Sequence, residues 1–535
     1  MSERRRSFWG WGYEDKFPNR QGRQNIGAMA AAMLGGAELE PTEPVRIEDV
    51  ELRVPRVEPP AVLAELCSKT PLDRASHTYG KSYCDIVRGF RGQFENAPDL
   101  VVRPQSEQDI EAVLDWCCSE RLALIPFGGG TSVVGGVEPA VNGDYRGTVS
   151  LDVRAMDRVL ELDDVSQAAR IQAGATGPEL ERQLGASGFT LRHFPQSFEF
   201  STLGGWLATR AGGHFATLYT HIDDLTESIR MITPSGVWQS RRLPGSGAGP
   251  SPDRLVLGSE GTLGIITESW MRIRKRPRFR ANASVRFGDF TDAVHATREI
   301  AQSGLYPSNC RLLDKREALL HRVVGDGSNV LLLGFESSNH PVEWPMQRAL
   351  EIALARGGVC PAGAVFKEAG NKAGDIGDAG AWKSAFIEAP YLVNSMVSLG
   401  CIADTFETAC TWDRFDELHN AVVSAVLDAM KRECGQGLVS CRFTHVYPDG
   451  PAPYYTFVAP AVRGSEIDQW MAIKTAASEA LIDNGATITH HHAVGRLHRP
   501  WYDRQRPELF ARALGAAKRE LDPAGVLNPG VLIDC

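Results

Sequence analysis

Pro126-Phe127-Gly128-Gly129-Gly130-Thr131-Ser132-Val133-Val134-Gly135-Gly136 is the stretch that decides the fold. A short apolar run, residues 122–126, precedes it and reads as a buried strand. Consecutive glycines after such a strand let backbone N–H groups turn inward and approach an anion with no Cβ in the way. A pyrophosphate is the natural guest, although the loop taken alone also fits a tight turn with no ligand. It does not match the nicotinamide fingerprint G-x-G-x-x-G, and it lacks the lysine of a Walker loop. Gly245-Ser246-Gly247-Ala248-Gly249-Pro250 fails as well, because Pro250 stands where the last glycine belongs. No serine sits in G-x-S-x-G, which excludes a serine-hydrolase elbow.

Outward from the loop, short β-branched runs alternate with amphipathic helical patterns from about residue 95 to 275. Leu100-Val101-Val102 reads as a strand, and Ser106 caps a helix with Ile110, Val113, Leu114 and Cys117 on one face. This is α+β or α/β texture, unlike a helical bundle or a β-sandwich. Upstream, residues 1–94 open with the aromatic cluster Phe8-Trp9-Gly10-Trp11-Gly12-Tyr13 and pass through a Pro- and Glu-rich connector. Downstream, a basic stretch from Arg272 to Arg280 reads as a solvated strand edge and linker, with a patch for an anionic membrane as the alternative. A second α+β unit follows, with helical patterns over 293–303 and 412–432 and strand patterns over 329–335 and 455–459. One helix, 507–521, closes the chain. The expected organisation is an N-terminal extension (1–94), a cofactor domain (95–280), a cap domain (281–480) and a C-terminal segment (481–535).

Composition narrows the class. The 535 residues are 43% hydrophobic and 23% charged, ordinary for globular domains. A net charge of −9 argues against broad nucleic-acid binding. Eleven scattered cysteines with no C-x-x-C pair suit a reducing compartment. No apolar run approaches the roughly 18 residues needed to cross a bilayer. The expectation is a cytoplasmic protein, with peripheral membrane contact the one membrane association left open.

Three further segments place small residues and hydroxyls beside exposed backbone, the composition that wraps a long dinucleotide. They are Gln196-Ser197-Phe198-Glu199-Phe200-Ser201-Thr202, Thr209-Arg210-Ala211-Gly212, and Glu260-Gly261-Thr262-Leu263-Gly264-Ile265-Ile266. With the first loop, their order and spacing resemble the PCMH-type FAD-binding domain of the vanillyl-alcohol-oxidase family. The resemblance implies an α+β, two-lobed fold with a separate cap domain and a helical N-terminal extension. It makes these segments, with Pro126, Phe127, Gly128, Gly129, Gly130, Thr131 and Ser132, the FAD-binding residues. Related enzymes with covalent flavin carry an anchoring histidine in the first loop, where this chain has Thr131. The resemblance therefore implies non-covalent FAD.

The likeness reaches further. Trp9-Gly10-Trp11-Gly12-Tyr13, Phe406-Glu407-Thr408, Trp412-Asp413-Arg414 and His490-His491-His492-Ala493-Val494-Gly495-Arg496-Leu497 resemble the alkyldihydroxyacetonephosphate synthase family. That family exchanges the acyl group of acyl-dihydroxyacetone phosphate for a fatty alcohol, through an adduct on the flavin N5, in ether-lipid synthesis. The resemblance implies a small lipid substrate, a homodimer and no nucleic-acid partner. It makes Tyr454 the acid–base residue, His490, His491 and His492 polar or proton-transferring groups, and Arg311 an arginine needed for activity. A phenol of pKa about 10 needs a cation or hydrogen bonds to take a proton at neutral pH, and the histidine run is the expected source. If residues 490–492 form a strand, His490 and His492 share a face, and two histidines with no carboxylate beside them make a poor metal site. No metal is expected. One departure stands out: in Tyr391-Leu392-Val393-Asn394, Val393 occupies the place of the family's substrate-binding arginine. The alternative reading is an FAD-linked dehydrogenase or oxidase of a 2-hydroxy acid or alcohol, of the glycolate or D-lactate type.

Overall fold

The computed structural model describes residues 4–219, 221–368 and 378–534. Its cofactor half begins with local rules. Ser106 Oγ accepts from Asp109 N–H at 3.2 Å while the Asp109 carboxylate accepts from Ser106 N–H at 3.0 Å. This reciprocal cap starts the helix Glu107–Glu120, which buries Ile110, Val113, Leu114 and Cys117. The strand Leu122–Phe127 follows at once and is buried at five of its six positions. It lies parallel to Gly147–Asp152, in a four-stranded sheet ordered Cys67–Ser68, Leu100–Val102, Gly147–Asp152, Leu122–Phe127. Pro126 has no N–H to donate, so the sheet's edge suits it. The free side of this strand is met by the C-terminal segment, with Leu124 N–H on Val526 O at 2.8 Å and Asn528 N–H on Leu124 O at 2.9 Å. The segment after residue 481 thus packs back onto the cofactor lobe. Cys67–Ser68 joins the same sheet from within the N-terminal extension.

The second sheet of this lobe is antiparallel and ordered Val159–Asp163, Ala168–Gln172, Ile265–Arg272, Thr226–Thr233, Gly236–Gln239. The basic stretch that leaves it is only partly solvated: Arg274 stacks 4.0 Å over the Tyr219 ring, while Arg278 pairs with Glu368.

The cap is built on a seven-stranded antiparallel sheet ordered Val365–Glu368, Phe279–Phe287, Asn329–Ser337, Asn309–Leu313, Leu438–Val446, Pro451–Pro460, Cys401–Glu407. Alternation along its strands sorts side chains. Cys441, Phe443, Tyr455 and Phe457 enter a core shared with the helices Phe290–Gln302, Glu343–Ala355, Phe415–Cys434 and Glu466–Asp483. Arg442, Tyr454, Thr456 and Val458 turn to the other face, which lines a cavity. Register then sets Glu407 opposite Tyr454 and Tyr454 opposite Arg442, one row across three strands.

The N-terminal extension clasps the helix Asp378–Ser398. Trp11 N–H donates to Asn394 Oδ1 at 2.8 Å, and Asn394 Nδ2 returns a bond to Trp11 O at 2.9 Å. Gly12 has φ +76°, and a Cβ there would sit 2.1 Å from the Tyr391 ring. The extension's helix, Arg20–Met33, packs beside the same element. None of the helices of the described residues is long and apolar enough to cross a membrane.

Candidate active site

A cavity of about 720 Å³ is lined by residues of both lobes and of the N-terminal helix, a size that encloses whole ligands. Pro126, Phe127, Gly128, Gly129, Gly130, Thr131 and Ser132 line it, with Gln196, Ser197, Ser201, Thr202, Thr209, Ala211, Gly212, Glu260, Gly261, Gly264, Ile265 and Ile266. The Gly loop is packed tightly against the segment 200–202: a Cβ on Gly129 would lie 2.2 Å from Phe200 O, and one on Gly128 2.3 Å from Thr202 Oγ1. With no side chains of their own, these glycines leave the loop's backbone to meet the phosphates of FAD.

The remaining six predicted cofactor residues turn away. Phe198 stacks on Phe194 with centroids 4.5 Å apart, and Phe200 packs edge-on against Trp11. Glu199 accepts from the Tyr391 hydroxyl at 3.0 Å. Arg210 pairs with Asp223, Thr262 bonds the Ser259 carbonyl at 2.7 Å, and Leu263 is in the core. Glu260 lines the cavity, but its carboxylate also takes Val494 N–H at 2.9 Å and Gly495 N–H at 2.8 Å. Burial pushes it up to about 7 against these two bonds. It therefore ties the cofactor lobe to the turn after the histidine run.

Lys81 went unnoticed in the sequence, because a lone lysine carries no pattern. It lines the cavity, and its N–H on Ser132 O at 2.6 Å locks it beside the Gly loop. Burial, with Arg6 nearby, lowers the ammonium to about 8, so it is largely cationic at neutral pH. Arg6 itself donates to Gly129 O at 2.8 Å. These are suitable groups to face a pyrophosphate.

The opposite wall carries the chemistry. Tyr454, Arg311, Arg442, Thr405, His445, His491 and His492 line the cavity, whereas His490 stands behind His491. The Tyr454 hydroxyl bonds Thr405 Oγ1 at 2.8 Å, and the Arg442 guanidinium lies 3.9 Å over its ring. The cation beside the phenol is thus Arg442, while His491 and His492 pack with centroids 6.0 and 5.4 Å away. Burial raises the Tyr454 phenol more than Arg442 lowers it, so it is held protonated, ready to donate. Arg442 also pairs with the buried Glu317. Arg311, pulled to about 9 by burial and by Arg442, remains positive at neutral pH.

The histidine run is not a strand. It bends around Glu407, whose carboxylate collects His490 N–H at 2.7 Å, His491 N–H at 3.1 Å, His492 N–H at 3.0 Å and Thr489 Oγ1 at 2.6 Å. Burial would push this carboxyl up, but the imidazoles of His491, His492 and His490 and the bonds it accepts hold it well below the usual range. The expected two-histidine face without a carboxylate is therefore replaced by a loop wrapped on one. His445 joins it: one nitrogen each from His445, His490 and His491 lie within 4.8 Å of one another. These nitrogens already serve hydrogen bonds, His490 Nδ1 to His491 Nδ1 at 3.0 Å and His445 Nε2 to Gly213 O at 3.1 Å.

From this polar wall the cavity continues into an apolar arm lined by Ile26, Met29, Met33, Leu34, Met396 and Val458. Val393, on the helix Asp378–Ser398, lines the cavity too, presenting methyl groups where an arginine was sought.

Comparison with known proteins agrees with this geometry. Residues 98–240 match the FAD binding domain family, and residues 276–532 match the family described as FAD linked oxidases, C-terminal domain. The alkyldihydroxyacetonephosphate synthase of Dictyostelium discoideum is 31% identical over 92% of this chain and 84% of its own length. That of Caenorhabditis elegans is 32% identical over 86% of this chain and 80% of its own. A solved alkyldihydroxyacetonephosphate synthase structure superposes with a TM-score of 0.81 at 28% identity, covering 98% of both chains. The chain is an FAD-dependent enzyme, and it belongs to the alkyldihydroxyacetonephosphate synthase family.

Proposed function

We propose that this protein exchanges the acyl group of acyl-dihydroxyacetone phosphate for a fatty alcohol, giving the alkyl ether and a free fatty acid. The observation that supports it most is the continuity of one cavity. A dinucleotide cradle, a wall of arginine, tyrosine and histidine, and an apolar arm open into each other. Bound without a covalent bond, FAD supplies an electrophilic centre to the substrate carbon. Arg311 and Arg442 draw the phosphate and the departing carboxylate by charge. Tyr454, held protonated, gives a hydrogen bond to the carboxylate oxygen that leaves. The His491 ring has Nδ1 turned to His490 and Glu407 and keeps Nε2 for the incoming alcohol's proton. The apolar arm takes the hydrocarbon chain and excludes water from the exchange. Its outer end is formed by Met29 and Met33, 48% and 40% exposed, which supports peripheral contact with a membrane as the route of the lipid.

An anaerobic absorption spectrum tests this reading. Adding acyl-dihydroxyacetone phosphate and a fatty alcohol should give turnover with no lasting flavin reduction. A flavin that bleaches with a 2-hydroxy acid and stays reduced until an acceptor is added would replace it with the dehydrogenase reading. Acid precipitation should leave all flavin in the supernatant.

A further inference from the structure

The wall of the cavity has a second layer that the exchange, as described, does not use. Behind His491 lies His490, and behind His490 lie Tyr447 and His221. His490 Nδ1 is 3.0 Å from His491 Nδ1. His490 Nε2 is 2.7 Å from the Tyr447 hydroxyl and 3.2 Å from His221 Nε2, and the same hydroxyl is 2.7 Å from His221 Nε2. None of these contacts connects sequence neighbours apart from the histidine pair, so the chain exists only in the folded protein.

Its direction follows from one end. The backbone carbonyl of Arg210 acts on the His221 ring so as to favour its protonated side, and a carbonyl can only accept. With Nε2 turned to Tyr447, we assign the ring proton to Nδ1, and burial keeps the ring neutral. His221 Nε2 is then an acceptor, and Tyr447 must donate to it. Tyr447, its phenol pushed up by burial, has one proton, so it accepts from His490 Nε2–H. His490, neutral as well because burial outweighs Glu407, keeps Nδ1 as acceptor for His491 Nδ1–H. The tautomers are assigned from the network, with His491 Nδ1–H shared between His490 Nδ1 at 3.0 Å and Glu407 Oε2 at 3.4 Å.

We infer that Tyr447 and His221 complete a proton relay, running from His491 at the cavity to His221 behind it, that carries away the proton of the attacking alcohol; this rests on the synthase reading. As the alcohol oxygen bonds to the substrate carbon, its proton passes to His491 Nε2. His491 Nδ1–H passes to His490 Nδ1, His490 Nε2–H to the Tyr447 oxygen, and the Tyr447 proton to His221 Nε2. Every intermediate group loses one proton and gains one. His221 ends as an imidazolium beside Asp223, and the fatty acid leaves as its anion, so charge balances. The groups facing the relay are Glu407 along His490 and His491, His445 and Arg311 on the cavity side, and Asp223 and Arg210 at the far end. Arg210 has a side chain 59% exposed, which sets the far end next to solvent.

Tyr447 and His221 touch no substrate, so they act as positioning and relay residues, and the test reads the proton as well as the rate. In the holoenzyme, Tyr447→Phe removes one link, and His221→Gln keeps an acceptor for Tyr447 that cannot be protonated. Both should retain FAD and the wild-type KM for acyl-dihydroxyacetone phosphate. Both should lose about ten- to a hundred-fold in kcat, the lower part of the range for acid–base groups. The proton inventory in mixed H2O and D2O should be curved in the wild type and straight in both variants. A wild-type kcat and a wild-type inventory in His221→Gln would overturn the relay, as would turnover lost to a chelator and restored by zinc. Nitrogen-15 spectra of histidine-labelled protein judge the chain apart from activity: the tautomers expected are Nδ1–H on His221, Nε2–H on His490 and Nδ1–H on His491. The opposite tautomer at His490 refutes the relay even in an active enzyme. Absent synthase turnover with these tautomers present refutes the proposed reaction instead.

Discussion

Replacing Glu407 with glutamine keeps the length of the side chain and removes one charge and one acceptor. The Oε1 corner receives Thr489 Oγ1 and the N–H groups of His491 and His492, and Oε2 receives His490 N–H and faces His491 Nδ1 at 3.4 Å. The amide oxygen of Glu407→Gln fits the three-donor corner, leaving its NH2 against the His490 N–H, donor facing donor. Losing one bond to a charged acceptor while leaving a buried N–H unmet costs about 2–4 kcal/mol. The bend of residues 490–492 then loosens, and kcat should fall at least ten-fold with FAD content unchanged, because the Gly cradle does not touch Glu407. Urea denaturation and steady-state kinetics measure both effects. The pH dependence adds a signed check. The Glu407 carboxyl is held well below its ordinary value, so the unfolded chain binds the proton more readily. Its stabilisation is complete above the ordinary carboxylate pKa and is lost as pH falls below about 4.5 towards the folded value. The Glu407→Gln variant should lose stability less steeply across that acid limb. A variant with the wild-type urea midpoint, acid limb and kcat would refute the claim that this carboxylate shapes the histidine loop.

Other substitutions probe the remaining parts. Tyr454→Phe removes only the hydroxyl bonded to Thr405, so it should keep FAD and fall about 100- to 10,000-fold in turnover; wild-type rates would remove Tyr454 from the reaction. Gly129→Ala drives a Cβ to 2.2 Å from Phe200 O, and an overpacking cost of about 1–3 kcal/mol should weaken flavin binding about ten- to a hundred-fold in a fluorescence titration. Val393→Arg should tighten the phosphate substrate about ten- to a hundred-fold, with added salt sensitivity, as a new charge-assisted bond would; tight, salt-sensitive binding by the native protein would show that Val393 is irrelevant.

The cofactor half was legible because its constraint is local. A run of glycines after a strand states in sequence what the backbone must do in space, and the capping pair Ser106 and Asp109 does the same for its helix. Within the binding segments, side chains divide between the cavity and the protein interior. Thr262 and Leu263 lie between Gly261 and Gly264 but point into the protein, and Phe198 and Phe200 pack sideways. The histidine run was visible as a motif, yet its shape depends on Glu407, 83 residues before His490 in the chain, so the motif alone does not give its bend. Glu407 itself stood in a quoted motif with no role attached. Tyr447 and His221 gave no sequence signal, since only folding brings them to His490. The cationic partner of Tyr454 was sought among the histidines, while strand register placed Arg442 there.

The exchange reaction itself is the most direct measurement. Purified holoenzyme given acyl-dihydroxyacetone phosphate and a radiolabelled long-chain alcohol should form labelled alkyl-dihydroxyacetone phosphate and release fatty acid in equal amounts, without oxygen uptake or an added electron acceptor. Fatty acid released with no labelled ether, or labelled alcohol oxidised to aldehyde with a reduced flavin, would contradict it.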